Sequence, residues 1–234
     1  MILEMLLCRV YDFLHCDKRK SRWFYTLEEY REVKCPQSRR ELLSKIFNYH
    51  YKRLEKRYLH NSGLCDQLHG EYINGQGRGA VSEMMLGENR AANVGCECIA
   101  VYNALKRDGR ECRLCDIMCQ VEMNHMTWLD TGGCFGVDPR RIYRYLNAHG
   151  IDYEKHGDME KFKQAAENGK TCIMGFRIKG SHFRVHTVML YKERGLWNVY
   201  NRYNSSQGVR GYRELEEVLD GGRFLVGYEL NRKQ

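Results

Sequence analysis

The sequence predicts an α+β fold, because helical patterns come first along the chain and strand patterns follow. Apolar residues recur at helical spacing between residues 96 and 126. The pair Asp138-Pro139 is typical of a helix start, with aspartate as the N-cap and proline at the first helical position. From residue 171 onward, short runs of alternating apolar and polar residues predict antiparallel strands.

The composition changes near residue 80, where we place a domain boundary. Residues 1–80 predict a helical, basic N-terminal region, which opens with an amphipathic helix. A second helix begins after Ser38, a plausible N-cap whose capping-box partner is Glu41. The Gly-rich stretch at residues 63–87 predicts a loop or linker. Residues 81–234 then form the α+β domain.

The second region contains the elements that define the fold. We predict four helices, at residues 96–107, 112–126, 138–146 and 159–168. Strands follow at residues 171–178, 182–191 and 196–203, and a short helix at 212–219 precedes a last strand at 223–229. The expected result is a helical layer packed on an antiparallel sheet.

Composition narrows the classes of function. The net charge is +8, but no zinc-finger, helix-turn-helix or RNA-binding signature accompanies it, so nucleic acid is an unlikely partner. No run approaches 18 apolar residues, which predicts no membrane span. Eleven cysteines cannot all pair within one chain, so we expect a reducing, cytoplasmic location. Cys112, Cys115 and Cys119 share one helix face, which favours core packing over zinc, and no cofactor is implied.

Cys96 is the candidate nucleophile. Cys98 and Val101 belong to an apolar stripe that predicts burial, whereas Cys96 is about 200° from Cys98 around the helix axis. It lies in the first turn after Gly95, and a helix N-terminus stabilises a thiolate and lowers its pKa. The alternative is that Cys96 is one more buried thiol.

His186 is the candidate base and Asn201 its orienting residue. If the hairpin loop comprises residues 192–195, Tyr191 faces Leu196 and His186 falls opposite Asn201. Directly opposed side chains of an antiparallel pair are about 5 Å apart, so the asparagine amide would orient the imidazole. His182 shares the face of His186 and is the alternative base.

These residues resemble the papain-like cysteine peptidases, and most closely the bacteriocin-processing, double-glycine branch. The matching features lie between residues 85 and 230: Gly95-Cys96-x-x-x-Ala100 at a helix start, a Gly-rich turn before Asp138-Pro139, and His186-Thr-Val-x-x-Tyr followed by Trp-x-Val-Tyr-Asn201. The resemblance implies a papain-like fold for residues 81–234 and a cysteine hydrolase that cleaves a peptide or amide bond. Cys96, His186 and Asn201 would then be the catalytic triad.

The chain departs from that family at three points, the first of which is Asn201 where many members have aspartate. Cys-Glu-Cys replaces the common Cys-Gly-Pro, and the oxyanion glutamine several residues before the nucleophile is missing, with Asn89 and Asn93 the nearby amides. The departures favour a second hypothesis, a catalytically inactive relative that binds a peptide or protein partner. A third hypothesis is a zinc- or nucleic-acid-binding adaptor built on the basic helices. The sequence leaves the substrate and the oligomeric state open.

Overall fold

A computed structural model of the protein describes residues 27–28, 31, 41–68, 72–124, 126–127, 136–181 and 183–231. The described chain is a mixed α+β structure with an antiparallel sheet, as predicted. Its α-helices are α1 (Glu41–Cys65), α2 (Gly79–Glu83), α3 (Ala91–Val94), α4 (Cys96–Arg107), α5 (Leu114–Met123), α6 (Ile142–Ala148), α7 (Met159–Ala166) and α8 (Leu215–Leu219). Short 3₁₀ helices occupy Asp66–Leu68 and Pro139–Arg141.

The strands form a small hairpin and a six-stranded sheet. The hairpin contains β1 (Met85–Leu86) and β2 (Asn89–Arg90). The sheet contains β3 (Tyr153–His156), β4 (Thr171–Arg177), β5 (Val185–Glu193), β6 (Leu196–Tyr200), β7 (Arg210–Tyr212) and β8 (Arg223–Leu230). Its strands follow the order β3-β8-β4-β5-β6-β7, and every neighbouring pair is antiparallel.

The six-stranded sheet is covered on both faces. Because side chains alternate along a strand, β5 sends Met189 to one face and Val188 to the other. Met189 packs in the core cluster that contains Ile99 of α4. Val188 packs in the cluster that contains Phe162 of α7 and residues of α8. The two faces of the sheet therefore face different helices.

Helix α4 has the bounds that the sequence predicts. Cys98, Val101, Tyr102 and Leu105 are all buried in the core cluster on the α4 face of the sheet. Asp138 also acts as predicted, since its carboxylate accepts a hydrogen bond from the backbone N–H of Arg140. A 3₁₀ turn separates this N-cap from α6, so the helix proper starts at Ile142.

The predicted linker at residues 63–87 is largely structured, which corrects that prediction. Helix α1 continues through Gly63 to Cys65, and α2 and β1 occupy part of the rest. Ile73 is buried in the core cluster, and its backbone exchanges two hydrogen bonds with the side chain of Asn103 on α4. These contacts cross the boundary predicted near residue 80, which stays a prediction.

Helix α1 packs on α5. Leu54 is 1% exposed and lies in a small cluster with Cys119 and Met123. Cys115 is also buried, in agreement with the core role predicted for it and Cys119. Cys112 precedes α5 and is half-buried, so it does not share the helix face as predicted. The amphipathic helix predicted at the start of the chain and the cap at Ser38 lie outside the described residues. None of the described helices is long and apolar enough to cross a bilayer.

One close contact fastens α7 to the sheet. Gly227 of β8 lies directly under the ring of Phe162, which is fully buried. A Cβ atom added to Gly227 would be 2.2 Å from Cδ2 of that ring. Glycine is therefore the residue that lets the helix approach the strand this closely.

Candidate functional site

Cys96 is the first residue of α4, which packs against β5. Short helix α3 ends at Val94, and the following Gly95 leaves no room for a side chain, since an added Cβ would be 2.8 Å from the carbonyl oxygen of Ala91. The thiol is 5% exposed. The sequence thus places Cys96 correctly at a helix start, but the side chain is buried there.

The partner of the Cys96 thiol is the neighbouring Glu97. Sγ of Cys96 donates to Oε2 of Glu97 at 3.2 Å, and the hydroxyl of Thr187 donates to Oε1 at 3.1 Å. The backbone N–H of Val137 also points to this carboxylate. Burial and the adjacent Glu97 charge raise the pKa of Cys96 well above its usual value. Burial also raises the pKa of Glu97 to about 7.

His186 is buried and neutral. Its Nε2 lies 2.7 Å from the backbone carbonyl oxygen of Asn201, and because a carbonyl only accepts, Nε2 carries the hydrogen. Burial lowers the pKa of His186 to about 4, and the nearby positive charges of Arg202 and Arg184 act in the same direction. An imidazole with this pKa is uncharged at neutral pH.

Strand alternation points the side chain of His186 away from the face of β5 that contacts α4. Thr187 contacts Glu97 on the α4 face, so the preceding residue, His186, points to the opposite face. Its ring is 5.8 Å from the ring of Phe176, its partner across β4 and a member of the α7-side cluster. The structure therefore does not bring the imidazole beside the thiol as the sequence predicts.

The predicted hairpin register is wrong by two residues. The turn consists of Arg194 and Gly195 alone, both with positive φ (52° and 79°). Such a two-residue turn matches the twist of the flanking strands and extends the ladder, so that Glu193 pairs with Leu196. Strand β6 ends at Tyr200, which pairs with Met189, and Asn201 lies beyond the ladder.

Asn201 orients a loop instead of the imidazole. Its Oδ1 accepts from the backbone N–H groups of Gly75 (3.2 Å) and Gln76 (2.9 Å), and its Nδ2 donates to Oε1 of Gln76 (3.0 Å). Asn201 is fully buried, with a φ of 57°. Only its backbone carbonyl contacts His186. The prediction that the asparagine side chain fixes the histidine tautomer is wrong, because the shifted register carries that side chain to the 74–76 loop.

The candidate oxyanion amides bond to each other. Nδ2 of Asn93 donates to Oδ1 of Asn89 at 3.0 Å, and Asn93 is exposed. Gln76, which sequence reasoning missed, is 2% exposed and donates to the carbonyl oxygen of Ala92 at 2.9 Å. It lies in the Gly-rich stretch that predicts a linker, so the sequence carries no signal for its burial. The alternative base, His182, lies outside the described residues.

Among the cysteines that the structure describes, Cys65 is the one whose thiol has a lowered pKa. The backbone N–H of Cys115, near the start of α5, donates to Sγ of Cys65 at 3.3 Å. A hydrogen bond from the Cys115 thiol lowers the pKa of Cys65 below its usual value, and Arg113 adds to the effect. Cys65 is half-buried. The packing of α1 on α5 brings Cys65 and Cys115 together. A contact between two separate helices leaves no spacing pattern in the sequence, so this pair could not be predicted.

A basic cleft of about 560 Å³ opens between α1 and the β1–β2 hairpin. It is lined by Arg53, Lys56, Arg57, His60, Glu83, Met85, Gly87, Glu88 and Arg90. Arg53 and Arg57 share the carboxylate of Glu88, and Arg57 also pairs with the deeper Glu122. Lys56 is exposed and forms no ion pair within the described part of the chain. The cleft thus presents four cationic side chains against two carboxylates in its lining.

The raised pKa of Glu97 predicts a pH-dependent stability. A carboxyl whose folded-state pKa lies above its unfolded value of 4.5 stabilises the fold below that value, and the contribution is lost as the pH rises through about 7. We expect Glu97→Gln to remove this loss. Its free energy of unfolding relative to the parent should rise by about 2 to 3 kcal/mol between pH 5 and pH 8.

Urea denaturation of both proteins at the two pH values measures this difference. Buried His186 has the opposite slope, since its lowered pKa destabilises the fold as the pH falls from 6.5 to about 4. Both proteins share that slope, so it cancels in the comparison. A difference in unfolding free energy that stays constant with pH would show that Glu97 ionises normally.

The site thus contains two separate polar groups, Cys96 with Glu97 on the α4 face and His186 with the backbone of Asn201 on the other. Glu97 is the functional candidate that sequence reasoning missed, and its position beside Cys96 in the motif is the signal that was available. Comparison of the chain with models of known protein families and with curated proteins finds no match.

Proposed function

We propose that this protein is a catalytically inactive relative of the papain-like cysteine peptidases that binds an acidic segment of a peptide or protein partner. The observation that carries the proposal is the placement of the Cys96 thiol and the His186 imidazole on opposite faces of the sheet. A papain-like nucleophile needs its base within hydrogen-bond reach. Here the thiol is buried, its pKa is raised, and the histidine is neutral.

The relationship to papain-like peptidases is supported by the order of elements. A helix that begins at Cys96 packs against the strand that carries His186, and the next strand ends just before Asn201. This order is similar to that of the family. The chain would retain the scaffold while the turn at Arg194-Gly195 and the strand alternation place the polar groups elsewhere.

The basic cleft supplies the binding surface. Its volume is in the range of ligand sites in proteins, roughly 300–1,000 Å³. Three of its cationic side chains come from helix α1, and the fourth, Arg90, comes from the hairpin. They exceed in number the carboxylates that line the cleft. A segment rich in aspartate and glutamate complements this charge and would displace Glu88 from the arginines it shares.

A fluorescent acidic peptide tests this proposal by anisotropy. We expect Lys56→Glu to weaken binding about tenfold, and the affinity to fall steeply with added salt. Lys161→Glu makes the same change of charge on α7, outside the cleft, and should leave affinity within about twofold. Equal weakening by both variants would mean that net charge, not the cleft, binds the peptide.

A cysteine hydrolase acting on a peptide or amide bond is the second candidate, favoured by the 3.2 Å contact between Sγ of Cys96 and Oε2 of Glu97. A carboxylate with a pKa of about 7 is matched to proton transfer at neutral pH. In this case Glu97, not His186, would take the thiol proton. Alkylation of Cys96 separates the two candidates. Glu97→Gln lowers the rate if Glu97 is a base and raises it if Glu97 only repels the thiolate.

A further inference from the structure

Three potential metal ligands meet at the edge of the sheet, on strands β3 and β8. Glu154 and His156 alternate with Lys155 along β3 and so share a face. Glu229 of β8 is the direct partner of Glu154 across the ladder. One ligand atom from each of the three side chains lies within 4.8 Å of the other two.

Two carboxylates in directly opposed positions repel each other unless a cation lies between or beside them. Lys170 supplies one positive charge: its ammonium contacts Oε1 of Glu229 and lies 3.1 Å from Oδ1 of Asn231. One ammonium against two carboxylates leaves one negative charge at the cluster.

The polar atoms of the cluster are incompletely satisfied. Glu229 is 2% exposed, and its Oε2 has no hydrogen-bond partner among the described residues. The same holds for Nε2 of His156, which is also shielded from solvent. This Nε2 lies 3.9 Å from Oε2 of Glu154, too far for a hydrogen bond. Buried polar atoms without partners are rare, and an unplaced ion is one explanation for them.

We propose that Glu154, His156 and Glu229 bind a divalent transition-metal ion of the zinc, cobalt or manganese class. One imidazole nitrogen and two carboxylate oxygens suit such an ion, whereas magnesium and calcium prefer oxygen ligands alone. Ligand atoms about 2.1 Å from one ion are about 3 to 3.5 Å apart, so the side chains must close by about 1 Å. Glu154 lies on an edge strand with its side chain 63% exposed, which gives both that freedom and an entry path.

The ion would join β3 to β8. Strand β3 is four residues long and pairs with β8 alone among the described strands. A metal ligated from both strands adds a bond between this short edge strand and its neighbour β8. The proposal is independent of the basic cleft and of the chemistry at Cys96.

Titration with cobalt(II) in the presence of a phosphine reductant tests the proposal. Cobalt is the probe because thiolate ligation gives an intense charge-transfer band, whereas nitrogen and oxygen ligation gives only weak visible bands. We expect one equivalent to bind with weak bands alone. His156→Gln and Glu229→Gln should each lower the affinity at least tenfold, by loss of one of three ligands. Lys170→Gln should raise it, because the ammonium competes for Glu229.

Glu167→Gln is the matched control, since Glu167 is a carboxylate paired with Lys192 and is not one of the three cluster residues. It should leave the cobalt affinity unchanged. His156 lies on an edge strand, so His156→Gln still tests the proposal if Glu229→Gln fails to fold. The proposal is overturned if the parent binds no cobalt at millimolar concentration. It is also overturned if binding shows the thiolate band, or if His156→Gln binds as tightly as the parent.

Discussion

At pH 7, iodoacetamide is expected to modify Cys65 at least tenfold faster than Cys96. The thiolate is the reacting form. The pKa of Cys65 is lowered from its usual value by the hydrogen bond from Cys115, whereas burial raises the pKa of Cys96 well above its usual value, so far more of Cys65 is ionised at that pH. Cys65 is half-buried and Cys96 buried, which widens the difference. The sequence alone predicts Cys96 as the nucleophilic thiol and gives no sign of Cys65.

Peptide mapping by mass spectrometry at successive times gives both rates in one sample. His186→Ala should leave the rate at Cys96 within about twofold, because the imidazole lies across the sheet from the thiol. Faster labelling of Cys96 than of Cys65, if abolished by His186→Ala, would show that His186 activates Cys96. It would contradict the proposal that the protein is a catalytically inactive binding protein. Cys115→Ala is the control for Cys65, since it removes the hydrogen bond that lowers that pKa.

Gly227→Ala is expected to lower the free energy of unfolding by about 2 to 3 kcal/mol, a large cost for one methyl group. The added Cβ would overlap the ring of Phe162, which is fully buried in a packed cluster. Denaturation by urea measures the loss. The same change in a Phe162→Leu background should cost at least 1 kcal/mol less, because the smaller side chain vacates the contact.

Gly63→Ala provides the matched control, with the opposite sign. Gly63 lies inside α1, and nothing lies within 4 Å of the position of its Cβ. Alanine there should raise the unfolding free energy by about 0.5 to 1 kcal/mol, as in other helix interiors. If Gly227→Ala costs the same in the parent and in the Phe162→Leu background, the contact with the ring does not limit position 227.

Patterns that repeat along one element predicted this fold well. The stripe from Cys98 to Leu105 predicts α4 because burial of one helix face leaves a period that the sequence records. The alternation at residues 185–190 likewise predicts β5, whose two faces meet different helices. Strand β3 was missed, because an edge strand of four mostly polar residues has neither signal.

The candidate site was harder to predict, because it depends on turns and on pairs distant in sequence. The hairpin loop has two residues because Arg194 adopts a positive φ. The hydrophobic pattern of the sequence gives no information about this backbone angle. The partners of Asn201 come from residues 74–76, which the sequence assigns to a linker. Strand alternation predicts that His186 and Thr187 point to opposite faces of the sheet. It does not say which face α4 covers, and α4 in fact contacts Thr187 through Glu97.

The edges of the sheet bear on how the protein behaves at high concentration. A long, flat, apolar edge strand can pair with the same strand of another molecule and begin aggregation. Here the outer strands of the described sheet have only four and three residues, Tyr-Glu-Lys-His and Arg-Gly-Tyr. Both carry charged side chains, and neither offers more than a few unpaired backbone groups. The sheet is therefore protected against growth by strand addition at either edge.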